Sequence, residues 1–280
     1  MAYTNFIPSV WAESINRELE RACVFVDDCN RQYEGDVASK GDSVHILGVG
    51  KPTIKSLDRA NASGEIDGAE EIEDTSVILN INEIRYFNYM VGDIDKAQSV
   101  GGIMDILSAE TSEGLANEMD KFIANMATDE AVPTLTDTAS VVTKDNVLSL
   151  LDDAIQKLQE NDVNMASGIV VTVSPRFYKL FKQAHISTDT DNSDYLKNGK
   201  VAMYGNVTVK LSNNVQRTED GQCDNIMIRT KRAIAFVNPL THTEAYRPEK
   251  CFADAVKGFV LFDGKVVRPK EIININVKYA

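Results

Sequence analysis

DIDKAQSVGGIMDILSAETSEGLANEMDKFIANMA, residues 93–127, is the stretch on which the reading of this chain turns. Apolar side chains recur three or four apart at Ile103, Ile106, Leu107, Leu115, Met119, Phe122, Ile123 and Met126, the spacing of one face of an α-helix. Glu110, Glu113, Glu118, Asp120 and Lys121 are then expected to stay in water on the other side. At about 1.5 Å per residue the rod would be roughly 50 Å long, well beyond the usual globular helix. Gly101, Gly102 and Gly114 lie inside it, each costing about 1 kcal/mol relative to alanine. A long helix with weak points reads as a strut.

Immediately before it, TSVILNINEIRYFNYMV (75–91) reads as one strong strand. Ile78, Asn80, Asn82, Ile84 and Tyr86 alternate there with Leu79, Ile81, Glu83 and Arg85. Further back, Val44, Ile46 and Val49 mark another strand, entered through the turn signals Gly35 and Gly41-Asp42. Between the two lies a polar excursion, KPTIKSLDRANASGEIDGAEEIED (51–74). A strand leaving and a strand returning make an extended two-stranded loop. An isolated ribbon of that kind is marginal in water, so it is flexible or leans on another chain. The chain opens with an amphipathic helix in NFIPSVWAESINRELERACVF (5–25), with Pro8 in the first turn and Val10, Trp11, Ile15, Leu19 and Ala22 on one face. Trp11 is the only tryptophan; it packs into the core or anchors an arm on a neighbouring subunit.

Downstream, TDEAVPTLTDTASVVT (128–143) reads as a linker broken by Pro133. Thr143 is the expected N-cap of a helix striped by Val147, Leu150, Leu151, Ile155 and Leu158. GIVVTV (168–173) is a short apolar run typical of a strand buried on both faces. Ser174-Pro175 follows. A serine between strand and helix resembles a nucleophile elbow, but the flanking glycines are absent. Ser174 as N-cap with Pro175 at the first helical position explains the pair. After a polar loop (185–203), strands are expected in 204–215 and 226–239. The tail carries Phe259, Leu261 and Phe262, a turn at Asp263-Gly264, and a final strand in which Ile273, Ile275 and Val277 alternate with Asn274, Asn276 and Lys278. The fold class is α+β.

Composition narrows function further. The 280 residues carry a net charge of −13, which repels phosphate and excludes tight or sequence-reading nucleic-acid binding without excluding enclosure of nucleic acid. No basic segment followed by an apolar run resembles a signal peptide, and no run of about 18 apolar residues suggests a membrane span. A cytoplasmic setting is expected. Cys23, Cys29, Cys223 and Cys251 form no CxxC and share no ligand spacing with His45, His185 and His242, so reduced, mostly buried thiols are expected and no metal. Neither GxGxxG nor GxxxxGK[ST] is present, and GVGK (48–51) lacks a following helix. His242 and Glu244 in THTEAYR (241–247) are same-face strand neighbours and read as a solvated edge rather than an acid/base pair. Glu70-Glu71 and Asp152-Asp153 read as solvated acidic pairs. No catalytic residue, cofactor or metal site is assigned. An arm and a long loop, both costly for a monomer to expose, indicate an assembly protein whose neighbours bury them.

Several stretches carry a resemblance to the major capsid (coat) proteins of tailed bacteriophages, with the Hong Kong 97 fold. IPSVWAESI (7–15) with VFV (24–26) resembles that family's N-terminal arm, and YEGDVASKGDSVHI (33–46) its Gly-Asp-x-Val entry into the extended loop. FNYMVGDIDKAQS (87–99) is similar to its strand-to-spine junction, and EMDKFIANM (118–126) to the end of its spine helix. YGNVTVKLSNNV (204–215) and GKVVRPKEIININV (264–277) resemble its axial-domain strand and final peripheral strand. Each motif is weak alone; their order and spacing across nearly the whole chain carry the likeness.

The resemblance implies an α+β capsid subunit with an N-terminal arm (1–33), an extended β-loop (34–85), a peripheral domain with the spine helix (86–139 and 246–280) and an axial α/β domain (140–245). It implies self-assembly into hexamers and pentamers of an icosahedral shell around double-stranded DNA, located in the virion and assembled in the host bacterial cytoplasm. A separate scaffolding protein and a portal are implied as partners, with no membrane. Trp11 in the arm and Lys51, Lys55, Arg59, Glu70 and Glu71 in the loop become candidates for the subunit interface. Some members cross-link a loop lysine to a neighbour's asparagine. Lys51 and Lys55 lie in the right loop, but no matching asparagine with an acidic helper is identifiable, so non-covalent assembly is expected. Two alternatives remain: an encapsulin-like nanocompartment shell, and a soluble α+β enzyme whose site is not motif-like.

Overall fold

A computed structural model of the chain describes residues 23–33, 43–49, 54, 74–92, 103–136, 138–164, 168–186, 200–204, 207–218 and 220–279. In chain order the elements are β1 (Ser43–Val49), β2 (Asp74–Asn80), β3 (Glu83–Gly92), α1 (Ile103–Asn125), β4 (Ser140–Val142), α2 (Val147–Glu160), β5 (Ile169–Val173) and α3 (Pro175–Ile186). They continue as β6 (Lys200–Tyr204), β7 (Val207–Leu211), β8 (Cys223–Thr230), β9 (Ile234–Tyr246), β10 (Ala253–Val266) and β11 (Ile272–Tyr279). The strands form a ribbon β1-β2, a three-stranded sheet β3-β10-β9 and a six-stranded sheet β4-β11-β8-β5-β7-β6. The α+β class stands.

The expected central helix is present as α1, 23 residues or about 35 Å, followed by a single 3-10 turn at Met126–Thr128. Residues 93–102, including Gly101 and Gly102, lie outside the described residues. Leu115, Ala116, Met119, Ile123 and Ala124 are buried against Phe236, Val260 and Phe262 of the three-stranded sheet, with Phe122 edge-on to Phe262. Two expectations fail on this helix. Ile106 is 64% exposed, because it stands two turns before Glu113 and shares that residue's wet side. Asp120, two turns after Glu113, is nevertheless buried, because residues 23–28 cover that side at the far end of the helix.

The strand expected over 75–91 is two strands in two sheets. It breaks at Ile81-Asn82, where Ile81 is fully buried and the Asn82 N–H donates to Asp263 Oδ2 instead of continuing a ladder. Upstream, β2 pairs β1 antiparallel from Ser43↔Asn80 to Val49↔Asp74. Downstream, β3 pairs β10 from Ala253↔Gly92 to Phe262↔Glu83. The expected Asp263-Gly264 turn instead lies inside the 14-residue β10, where the two pair with Val237 and Phe236 just after a register shift that leaves one extra residue on β9. Asp263 holds it by accepting the Asn82 and Gly264 N–H groups. The chain turns only at 267–271. At Gly258 a Cβ would stand 2.6 Å from the Phe87 ring and 2.7 Å from the His242 carbonyl oxygen, so glycine lets Phe87 lie over β10.

The six-stranded sheet has one apolar buried face and one on which polar and apolar residues are interleaved. On the first, Val171, Val173, Val209, Ile226, Ile228, Ile273 and Ile275 pack with Leu151, Ala154 and Leu158 of α2 and Phe177 and Phe181 of α3. All of β5 is buried, as its apolar run implies. Ser174 caps α3, its Oγ accepting the Phe177 N–H at 3.3 Å. The cap of α2 differs from expectation: Asn146, not Thr143, is the N-cap residue. Its Oδ1 accepts the Thr143 N–H at 2.7 Å and ties down the preceding turn. The 128–143 linker ends in β4, which pairs with β11 in parallel, and Thr134 bridges Asn274. The closing strand β11, expected as a peripheral strand, lies in the six-stranded sheet between β4 and β8. All four cysteines are free; Cys23 and Cys29 are buried, whereas Cys251 is exposed on the β9–β10 loop.

Candidate functional site

Cross-strand register sets the second face of the six-stranded sheet. Arg229 of β8 stands beside Val170 of β5 and Ile272 of β11, and one row away Met227 stands beside Thr172 and Asn274. Thr172, Lys210, Asn225, Arg229 and Asn274 are all buried there, interleaved with the equally buried Val170, Met227 and Ile272. Its cover includes the segment 23–30, whose Phe25 and Val26 share an apolar cluster with Met227 and Ile272. The Arg229 guanidinium donates to the Phe25 carbonyl at 2.6 Å, the Asp28 carbonyl at 3.0 Å and Cys29 Sγ at 3.2 Å. Lys210 pairs with Asp28 at 2.7 Å and Asp27 at 3.0 Å, and Lys231 reaches Asp28 at 3.3 Å.

From the opposite side Asp120 of α1 closes the clamp. Its carboxylate accepts the N–H groups of Val24 (2.8 Å), Phe25 (2.9 Å) and Val26 (3.2 Å). These donors have no ladder partner, so the side chain satisfies a short stretch of backbone that would otherwise be buried unpaired. Burial pushes the Asp120 pKa above the usual carboxylate range, and the three N–H donors only partly oppose that. Burial likewise pushes Cys23 up to about 12 and raises Cys29. Both thiols are therefore protonated and unreactive at neutral pH. Asp120, Arg229, Asp28 and Lys210 fasten the segment leading to the chain's N-terminus, a structural role rather than a chemical one.

A second surface is open. On the outer face of the three-stranded sheet the rows are Tyr86–Phe259–His242, Asn88–Lys257–Glu244 and Met90–Ala255–Tyr246. Tyr86 is 80% and Met90 63% exposed, while the alternate residues Phe87 and Tyr89 face α1. Phe252, just before β10, is also exposed. The His242 ring lies against Phe259 and Glu244 pairs with Lys257 at 3.2 Å, each within its own row, as a polar edge does. Tyr86 and Met90 thus stand exposed on either side of the polar Asn88–Lys257–Glu244 row.

Trp11, Lys51, Lys55, Arg59, Glu70 and Glu71 all lie outside the described residues. The nearest described residue to the loop group, Ile54, is 96% exposed. Asp120 and Arg229 escaped the sequence reading because each is one charged residue in an amphipathic or apolar run. The signal available was Arg229 itself, a lone cation in IMIRT. Among the described residues no group of three or more His, Cys, Asp or Glu side chains stands in metal-ligating reach, and no helix is long and apolar enough to cross a membrane.

No protein family of known description matches the chain, and no curated protein does. Solved structures do. A chain of Mycobacterium phage Che8 superposes with a TM-score of 0.69 at 27% identity, covering 90% of each chain. The capsid structure of cyanophage P-SCSP1u gives 0.70 at 17% identity, over 93% of this chain and 89% of that one. A virus-like particle from Pyrococcus furiosus gives 0.61 at 11% identity, over 95% of this chain and 98% of that one. Over about 90% of its length this chain has the fold of phage capsid proteins.

Proposed function

We propose that the chain is the major capsid protein of a tailed phage, of the Hong Kong 97 type, self-assembling into hexamers and pentamers of an icosahedral shell that encloses double-stranded DNA. The observation that carries this reading is the match to a phage capsid fold along nearly the whole chain. Under it, 1–33 is an arm, 34–85 an extended loop, 86–139 and 246–280 a peripheral domain around α1, and 140–245 an axial domain. The strand β11 links the last two by closing the six-stranded sheet. The arm is fastened by the clamp at 23–30, and Trp11, Lys51, Lys55, Arg59, Glu70 and Glu71 serve subunit contacts. Assembly is non-covalent, takes place in the host cytoplasm, and uses a scaffolding protein and a portal.

Electron microscopy of the expressed protein tests this. Closed shells or capsomers are expected, formed alone or with a co-expressed scaffold; a stable monomer under every condition, scaffold included, overturns it. Deleting 52–74 should leave a folded subunit by circular dichroism and abolish shells, and normal shells from that chain would remove the loop's bracing role. The second reading, an encapsulin-like nanocompartment, is favoured by the likeness to the virus-like particle. DNA inside purified particles decides for the phage shell, enclosed protein for the compartment.

A further inference from the structure

A pocket of about 460 Å³ lies between the turn joining β4 to α2, the start of α3 and the end of β11. Lys144, Arg176 and Lys179 line it, and no carboxylate does; Asp145, next in sequence to Lys144, is not part of the lining. The chain as a whole has 42 acidic residues to 29 basic ones, so charge is locally inverted here. Arg176 is held from two sides. Its guanidinium donates to the Gly221 carbonyl at 3.0 Å, and the guanidinium carbon lies 5.9 Å from the centre of the Tyr279 ring. That ring is itself fixed, because the Tyr279 hydroxyl donates to Asp224 at 2.7 Å and meets Ser174 Oγ at 2.8 Å. The Gly221 bond uses one guanidinium donor and leaves the others without an acceptor among the described residues. Lys144 and Lys179 are exposed, and among the described residues neither is ion-paired.

Gathering these cations is unfavourable on its own. Like charges in one pocket repel one another, and the first turn of α3 carries no acidic residue to offset Arg176 and Lys179. The positive end of that helix adds to the cost. We infer that the pocket is a binding site for a small phosphate-bearing anion, with Arg176 as its principal contact and Lys144 and Lys179 beside it. A phosphate monoester brings close to two negative charges and three acceptor oxygens, enough to meet one guanidinium and two ammonium groups together. A lone carboxylate has two oxygens and is met in full by the guanidinium fork. Because Arg176 is already fixed, little of its rotamer freedom is left to lose on binding. The pocket volume falls within the roughly 300–1,000 Å³ of small-molecule sites, which favours a compact anion over a nucleic-acid duplex. The site belongs to the single subunit and is independent of shell assembly.

Isothermal titration calorimetry of the unassembled full-length chain with inorganic pyrophosphate tests this. Saturable one-site binding is expected, weakened at least tenfold in R176Q and in K144Q/K179Q. Both variants change exposed side chains and should keep the wild-type circular dichroism and Tm. K182Q removes a cation from the same helix but outside the pocket, and should bind as the wild type does. Absence of binding overturns the inference. So does equal weakening by K182Q, because the charge of α3 at large would then suffice. Acetate in excess should leave the titration unchanged, and competition by acetate would overturn the preference for phosphate. A short DNA duplex supplies the same phosphate chemistry from another source. Duplex binding that is lost in R176Q and is not displaced by pyrophosphate would make the pocket part of a nucleic-acid surface and overturn the small-anion site.

Discussion

The two faces of the six-stranded sheet are both buried, and they are held by different physics. Toward α2 and α3 the sheet presents Val171, Val209, Ile226, Ile228, Ile273 and Ile275, and burial of apolar area stabilises it without demanding direction. Toward residues 23–30 it presents Lys210 and Arg229 among the apolar Val170, Met227 and Ile272, and stability there depends also on each of those cations finding its acceptors. The first face tolerates changes that conserve volume. The second is tied to one placement of the segment that leads to the N-terminus, and so couples the chain's start to the sheet core.

Arg229 gives the sharpest test of that contrast. Its guanidinium is fully buried and donates to two carbonyls and a thiol on the 23–30 segment. R229M would leave those acceptors unpaired and Asp120 short of a nearby cation, a loss of about 3–5 kcal/mol in denaturant unfolding of the unassembled subunit. R229K should recover little of this, because one ammonium cannot reproduce the planar fork. A loss below about 1 kcal/mol for R229M would mean that the second face is held by packing after all.

Asp120 comes next. D120A orphans the Val24, Phe25 and Val26 N–H groups and should cost about 2–3 kcal/mol. The pH dependence has a definite sign. A carboxyl whose folded pKa is raised by burial contributes stability that is fully present below its unfolded value of about 3.9 and lost as pH rises through the folded value. Between neutral pH and about pH 4, the wild type should therefore gain stability relative to D120N. A difference that is flat, or that falls on acidification, would show that the three N–H donors outweigh the burial.

On the apolar face a conservative change should be mild. Leu158 is fully buried among α2, β5 and their neighbours. L158M keeps volume and character and should cost less than about 1.5 kcal/mol, against the several expected for the equally conservative R229K. Similar losses for the two would erase the distinction between the faces.

The same contrast explains what could be read from residues alone. Periodicity encodes burial of apolar side chains, so α1, α2, β5, α3 and β11 were legible in outline, as was the excursion between β1 and β2. It carries no sign for polar burial, where the partner lies far off in sequence: Asp120 meets residues 24–26 from 94 to 96 positions away, and Arg229 meets Phe25 from 204. Local alternation likewise runs straight through Ile81-Asn82, because the break is imposed by Asp263, 181 positions away in sequence. Asp263-Gly264 looks like a turn for the same reason. The open face of Tyr86 and Met90 was misread as ordinary strand alternation, since the pattern does not say whether anything covers it. Surfaces open to other molecules are a property of what the single chain leaves uncovered, which no intrachain pattern records.

The smallest expected effect concerns α1, which carries Asp120. Gly114 lies in its interior, exposed, and a Cβ added there would meet nothing within 4 Å. No turn, close approach or positive φ requires glycine at this position, yet glycine costs the helix about 1 kcal/mol relative to alanine. G114A should therefore stabilise the unassembled subunit by about that amount, raising its Tm by a few degrees. If the helix bends between pentamer and hexamer environments, as the proposed assembly asks of one chain in two settings, the stiffer variant should also shift particle diameters or lower shell yield. The two readouts separate the explanations. A higher Tm with changed particles assigns Gly114 to bending; a higher Tm with unchanged particles makes it a local weak point without a part in assembly; an unchanged Tm would mean that the helix at Gly114 is already slack for reasons beyond its own backbone.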